Sequence, residues 1–161
     1  MPKLDTVDWR ILNHLQTTPD ASISDLAHAV NLSNSPCWRR VQRLRSDGVI
    51  LGQRLAIDPT AIGLNCTVYA FVKLSLPSTD RMDTFEEQVV TMEEVVSCER
   101  VTGAIDYLLK IVTTDVQGYD RFLREQLLKM QLVSDVESHI VVARTPVSAN
   151  LPLRTAEAAL L

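Results

Sequence analysis

Residues 32–48 read LSNSPCWRRVQRLRSDG and hold four arginines, Arg39, Arg40, Arg43 and Arg45, in a chain of formal net charge -4. Proline is tolerated in the first helical turn because its missing N–H has no partner there, and it disfavours a helical conformation in the preceding residue. Pro36 therefore predicts a helix over 36–47 with Ser35 as N-cap, and Gly48 supplies a left-handed stop. On that helix Cys37, Val41 and Leu44 fall at i, i+4 and i+7 and form an apolar seam. Trp38, Arg39, Gln42, Arg43 and Arg45 are left on or near the outer surface, with Arg40 at its margin. A solvated helix face is one reading. Against it, no acid lies between Arg39 and Arg45 to make the i,i+4 pairs of a merely soluble face. An exposed tryptophan, moreover, is costly unless it touches something.

Upstream, LDTVDWRILNHLQ (4–16) predicts a helix with Asp5 as cap and Asp8 at capping-box spacing. Leu4 and Trp9 stand at the positions of a hydrophobic staple. A short helix follows Ser22, again with an acid, Asp25, three residues on. NLSNS then reads as a turn in which Asn31 tolerates the left-handed conformation. VILGQRLAID (49–58) predicts two short strands around Gly52, a small wing. Two short helices joined by a turn and followed by a wing are how helix-turn-helix proteins present a helix to the major groove. Arginine pairs bidentately with guanine, Gln42 and Asn34 suit adenine, and Trp38 covers a thymine methyl or a sugar. The helix N-terminus favours phosphate. The candidate DNA-binding set is Ser33, Asn34, Ser35, Trp38, Arg39, Arg40, Gln42 and Arg43.

Downstream the period changes. DPTAIGLN (58–65) has the punctuation of a linker. CTVYAFVKLSL places Cys66, Val68, Ala70, Val72, Leu74 and Leu76 on one strand face, and residues 80–92 carry Met82, Phe85, Val89 and Met92 on one helical stripe. VVSCERV and DYLLKIVT read as strands joined by TGAID, a hairpin with Gly103 in its turn. A helix over 116–130 and a last strand, VESHIVVAR, complete strand–helix–strand–strand–helix–strand, the ferredoxin-like order. The class is α+β: a winged helix-turn-helix domain over 1–57, a linker over 58–65, a ferredoxin-like βαββαβ domain over 66–145, and a tail over 146–161 with weak pattern.

The bulk numbers are those of a globular chain, 161 residues with 46% apolar and 22% charged. No apolar run approaches the roughly 20 residues of a bilayer span, and the first residues, MPKLDTVDW, resemble no secretion signal. Three scattered cysteines, Cys37, Cys66 and Cys98, with no CxxC pair, predict free thiols rather than a disulfide framework or a metal site. Residues 1–60 hold seven Lys/Arg against six Asp/Glu, so the acidity lies in the second half. No nucleophile–base pair, phosphate-binding glycine loop or metal-ligand spacing is present, and catalysis is not expected.

LDTVDWRILNHLQ (4–16), ISDLAHAVNLSNSPCWRRVQRLRSDGVI (23–50) and VTGAIDYLLKIVTTDVQGYDRFL (101–123) together resemble the Lrp/AsnC family of bacterial and archaeal transcription regulators. The resemblance runs in order from Leu4 to about Val142. It implies a cytoplasmic, sequence-specific regulator of double-stranded DNA that forms homodimers and often octamers, is no enzyme, needs no cofactor and has no membrane partner. It also implies an amino-acid effector, bound between dimers near the loop joining the second and third strands of the C-terminal domain. Gly103, Ala104, Asp106, Val116 and His139 are the implied effector positions. Ala104 stands where the family commonly has an acid, His139 where leucine-responsive members have tyrosine, and Val116 where they have a longer apolar side chain. These changes argue against leucine, and the arginine segment is most similar to the subgroup answering to cysteine or other sulfur amino acids. Read without a ligand, Gly103 is a hairpin glycine, Asp106 a turn-capping acid and His139 an ordinary strand histidine. A rival reading is an amino-acid-sensing assembly protein with no specific DNA binding.

Overall fold

The computed structural model describes residues 3–145 and 150–160, so that 146–149 of the tail lie outside the described residues. The chain divides into two compact units. One takes the N-terminal residues to Ala56 together with the C-terminal segment, and the other is Ile57–Thr145.

In the first unit α1 (Thr6–Thr17) starts on the expected capping box: the Asp5 carboxylate accepts the Val7 and Asp8 amides, both at 2.9 Å, and Asp8 Oδ2 accepts the Asp5 amide at 3.0 Å. α2 (Ile23–Ala29) is capped by Ser22, whose Oγ accepts the Asp25 amide. Asn31, at φ 58°, turns the chain into α3 (Asn34–Ser46). The N-cap of α3 is Ser33, not Ser35. A proline displaces no helical hydrogen bond anywhere in the first turn, so Pro36 sits there with two helical residues ahead of it. Gly48, at φ +70°, ends α3: its N–H donates to Arg45 O at 3.0 Å and the Val49 N–H to Leu44 O at 2.9 Å, the paired bonds that a left-handed residue at this place permits. Ile11, Leu26, Ala27, Val30, Cys37, Val41 and Leu44 form the buried core, flanked by Leu4, Val7, Leu12 and Leu15.

The expected wing strands do not form among the described residues. From Leu51 to Asp58 the chain is irregular, with Leu51 94% and Leu55 87% exposed. A two-stranded ribbon with no apolar surface to cover is marginal in water, which accounts for the difference. Gln53 ties this segment to α1's end by donating its side-chain amide to Pro19 O. The tail, which carries little pattern, contains α6 (Leu153–Leu160), packed against α1. Just before it the Gln16 amide bonds both backbone groups of Leu151, donating to its oxygen at 3.3 Å and accepting its N–H at 2.7 Å.

The second unit is one antiparallel sheet of β1 (Cys66–Leu74), β2 (Val95–Arg100), β3 (Tyr107–Thr113) and β4 (Val133–Ile140), in the order β2-β3-β1-β4. With α4 (Thr79–Val89) and α5 (Val116–Phe122) it has the ferredoxin-like connectivity read from the sequence. One face buries Val68, Ala70, Val72, Leu74, Tyr107, Leu109 and Ile111 against Phe85, Val89, Tyr119, Phe122, Leu127 and Met130. Leu76 does not continue the β1 face: it lies past the strand end at φ 51° and is 85% exposed. α5 widens into a π-helical turn over Leu123–Leu127, and β4 both begins and ends earlier than its apolar letters suggest. Neither α4 nor α5 packs on the other sheet face of this unit, where Tyr69, Phe71, Lys73, Leu108, Glu137 and His139 are exposed or half-buried. No helix of the described residues is long and apolar enough to cross a membrane.

Candidate nucleic-acid interface and effector loop

α3 sorts its side chains by face. Cys37, Val41 and Leu44 are buried. Ser35, Arg39 and Gln42, spaced i, i+4 and i+7, lie opposite that seam, with Trp38 on the flank at 52% exposure. Ser33 and Asn34 stand exposed at the helix N-terminus, where unpaired amides and the helix dipole favour an anion. Arg39 and Arg45 are exposed and make no ion pair among the described residues. This surface offers a planar cation, an amide and an indole side by side.

Arg40 and Arg43 are placed differently. Both turn back to α1. Arg40 donates to Asp5 Oδ2 at 2.6 Å and to Asp8 Oδ1 at 2.9 Å, and Arg43 donates to Asp8 Oδ2. The Asp8 side chain is fully buried. Hydrogen bonds to Asp5 and Asp8 raise the Arg40 pKa above its already high ordinary value. Burial works against ionisation of Asp5, but the Asp8 amide and the Arg40 guanidinium outweigh it and hold that carboxyl below its ordinary value. Sequence reasoning assigns Asp8 to the capping box and misses its second role. The acids hydrogen-bonded to these arginines lie 32 and 35 residues upstream, while Asp47, just past the end of α3, stands 4.0 Å from Arg43 Nε.

The implied effector positions are not gathered in one place by a single chain. Gly103 and Ala104 are exposed in the hairpin turn, with Gly103 at φ +129°, a conformation few side chains adopt. Asp106 is committed to the fold. Its Oδ2 accepts the Leu74 amide at 2.7 Å where β1 shifts register, and its own amide donates to Val72 O at 2.9 Å. Val116, 50% exposed, follows the cap Asp115. Tyr107 faces Val72 and Thr113 faces Cys66, so the hairpin and Val116 lie at opposite ends of β3, about 20 Å apart at ~3.4 Å per residue. His139, opposite Tyr69, sits on the open face with its ring edge-on to Phe71 at 4.8 Å and Nε2 3.0 Å from Glu137 Oε1.

Residues 67–150 match the Lrp/AsnC ligand binding domain family, and residues 4–50 match the winged helix-turn-helix DNA-binding family. The chain is 33% identical over 150 residues to the DNA-binding transcriptional activator DecR of Escherichia coli, covering 93% of this chain and 99% of that protein. It is 35% identical over 151 residues to the glutamate uptake regulatory protein of Zymomonas mobilis, covering 94% and 92% respectively. A transcriptional regulator of Neisseria meningitidis, solved in complex with L-methionine, superposes with a TM-score of 0.89 at 30% identity, over 96% of this chain and 99% of that one.

Proposed function

Because the chain belongs to the Lrp/AsnC family of DNA-binding transcriptional regulators, we propose that α3 is its DNA-reading helix and that a sulfur-containing amino acid is its effector. The observation that carries the first half is Trp38, 52% exposed, beside an Arg39 with no ion partner among the described residues. Around them, Asn34 and Gln42 read base edges and the exposed hydroxyls of Ser33 and Ser35 meet phosphate. Arg40 and Arg43 belong to the same helix, and their pairing with Asp5 and Asp8 sets how that helix is presented.

The protein acts in the cytoplasm as a homodimer, which in turn gathers into octamers. Support for self-association comes from the sheet face that α4 and α5 leave open, where Tyr69, Phe71 and Leu108 offer apolar area that a second copy covers. A dimer presents two copies of α3 to half-sites one turn apart, roughly 34 Å. The wide separation of Gly103, Ala104 and Asp106 from Val116 favours an effector site assembled from more than one copy. Methionine in the Neisseria relative and the small Ala104 favour an apolar, sulfur-bearing side chain over an acidic or basic one.

Two measurements test this reading. Arg39→Glu should abolish binding to upstream DNA in a gel shift while leaving the oligomer size unchanged; retained affinity would refute the reading helix. In a thermal-shift screen of the twenty amino acids, methionine or cysteine at a hundred times its dissociation constant should stabilise by about 2.7 kcal/mol. Indifference to every amino acid would remove the effector.

A further inference from the structure

Four arginines lie on α3, yet they fall into two pairs with different surroundings. Arg40 and Arg43, one turn apart, both reach the carboxylate of Asp8; Arg40 reaches Asp5 as well, and Arg43 lies 4.0 Å from Asp47. Arg39 and Arg45 reach no acid among the described residues. The asymmetry lies in Asp8, whose side chain has no exposed surface. Its two oxygens accept the Asp5 amide, Arg40 and Arg43. A buried carboxylate stripped of its cations is far more costly than a surface ion pair is stabilising. A DNA phosphate that drew Arg43 outward would leave that carboxylate with one cation fewer in a dry site. Phosphate offers Arg43 no more than an exchange of one anion for another, and it leaves the buried one behind.

We propose that Asp8 is a positioning residue for DNA reading: it withholds Arg40 and Arg43 from the duplex and leaves Arg39 and Arg45 as the guanidiniums of α3 that neutralise phosphate. The proposal rests on α3 being the reading helix. Asp8 also fixes the roll of α3. Two anchors at i and i+3 on one side of the helix hold Ser35, Arg39 and Gln42 on the side away from the core. A segment that looks like a four-charge patch is thereby reduced to two free charges flanking an amide and an indole. Fewer cations free to slide over any phosphate lowers sequence-independent affinity, which is the term that competes with specific recognition.

The test is the salt dependence of binding, measured by fluorescence anisotropy with the full chain and a labelled duplex of arbitrary sequence. Removing one arginine–phosphate pairing should flatten the log–log slope by about 0.9 for every chain engaged. Arg39→Gln and Arg45→Gln should each flatten it, whereas Arg40→Gln and Arg43→Gln should leave it at the wild-type value. Asp8→Asn should steepen it, because Arg43 loses the buried carboxylate that holds it while Arg40 keeps Asp5, and Asp8→Asn with Arg43→Gln should bring it back. A change in helix stability alone moves the melting temperature and not this slope. Flattening by Arg43→Gln equal to that by Arg39→Gln would overturn the proposal, as would an unchanged slope in a folded Asp8→Asn protein. If Asp8→Asn does not fold, the comparison of Arg43→Gln with Arg39→Gln decides alone. If Arg39→Gln and Arg45→Gln both leave the slope untouched, the reading helix itself is misassigned, and the proposal falls with it.

Discussion

Tyr107, fully buried on β3, donates its hydroxyl hydrogen to Glu86 of α4 across 2.7 Å, and Arg100 from the neighbouring β2 closes on the same carboxylate oxygen from Nε at 2.9 Å. One carboxylate thus ties the first helix of the ferredoxin-like unit to two strands. Burial first, and the Glu86 contact second, push the Tyr107 phenol up to about 12. The bonds from Tyr107 and Arg100 hold the Glu86 carboxyl below its ordinary value.

The Tyr107 shift sets an alkaline limit on this unit. A phenol whose folded pKa is raised contributes stability that is whole below its unfolded value of 10.0 and is lost as pH climbs toward about 12. Unfolding followed by circular dichroism alongside tyrosinate absorbance should show a transition in that window. Tyr107→Phe should remove most of the pH dependence while lowering stability at neutral pH by about 1 kcal/mol, the net value of a hydrogen bond.

Acid acts on the opposite sign. Glu86 and Asp5 both have lowered pKa values, so their contribution is present above the ordinary values of 4.5 and 3.8 and disappears as pH falls below them. Glu86→Gln should flatten the acid limb of the stability curve for the second unit, and Asp5→Asn that of the first. A limb unchanged in both variants would contradict these assignments.

The two units have separate cores, so damage to one should be visible separately. Leu44, fully buried in the helical cluster, should cost about 2–5 kcal/mol when truncated to alanine. Leu44→Ala should create an early step in thermal unfolding and eliminate DNA binding, while any amino-acid-induced stabilisation of the later step persists.

Asp106 gives a sharper test of the effector loop. Since its carboxylate accepts the Leu74 amide, Asp106→Ala leaves a half-buried N–H without its partner. The expected loss is about 1–3 kcal/mol. It should appear equally with and without amino acid. A loss seen only in the presence of amino acid would assign this carboxylate to the ligand rather than to the strand.

What was legible in the sequence was what short spacing encodes. The capping box at Asp5, the Ser22 cap, the left-handed Asn31, the Gly48 stop and the buried triplet Cys37, Val41, Leu44 all need only residues within a few positions of one another. The alternation of β1 and the strand–helix order gave the second unit in the same way. Features decided by distant partners were not legible. Strand-forming letters at 49–58 said nothing about whether a surface existed for them to cover. Ser35 met the local rule for a cap, yet Ser33 is the cap because a proline is accepted a full turn inside. The guanidiniums of Arg40 and Arg43 looked free because their acid lies on another helix. Asp106 resembled a ligand group because its bond to Leu74 crosses 32 positions. Which of the implied effector residues share a site depends on sheet register, and register puts Val116 at the far end of β3 from Gly103.

The bridge from Gln16 to Leu151 has a bearing on how the protein comes into being. α1 leaves the ribosome ahead of Leu151, the residue its glutamine clasps, which follows 135 residues later. Synthesis at roughly 5–20 residues per second places about 7–27 seconds between the two. In that interval the second unit is made whole and the apolar flank of α1 that receives α6 stands uncovered. The helical unit is thus made in two instalments, with the whole of the second unit synthesised between them.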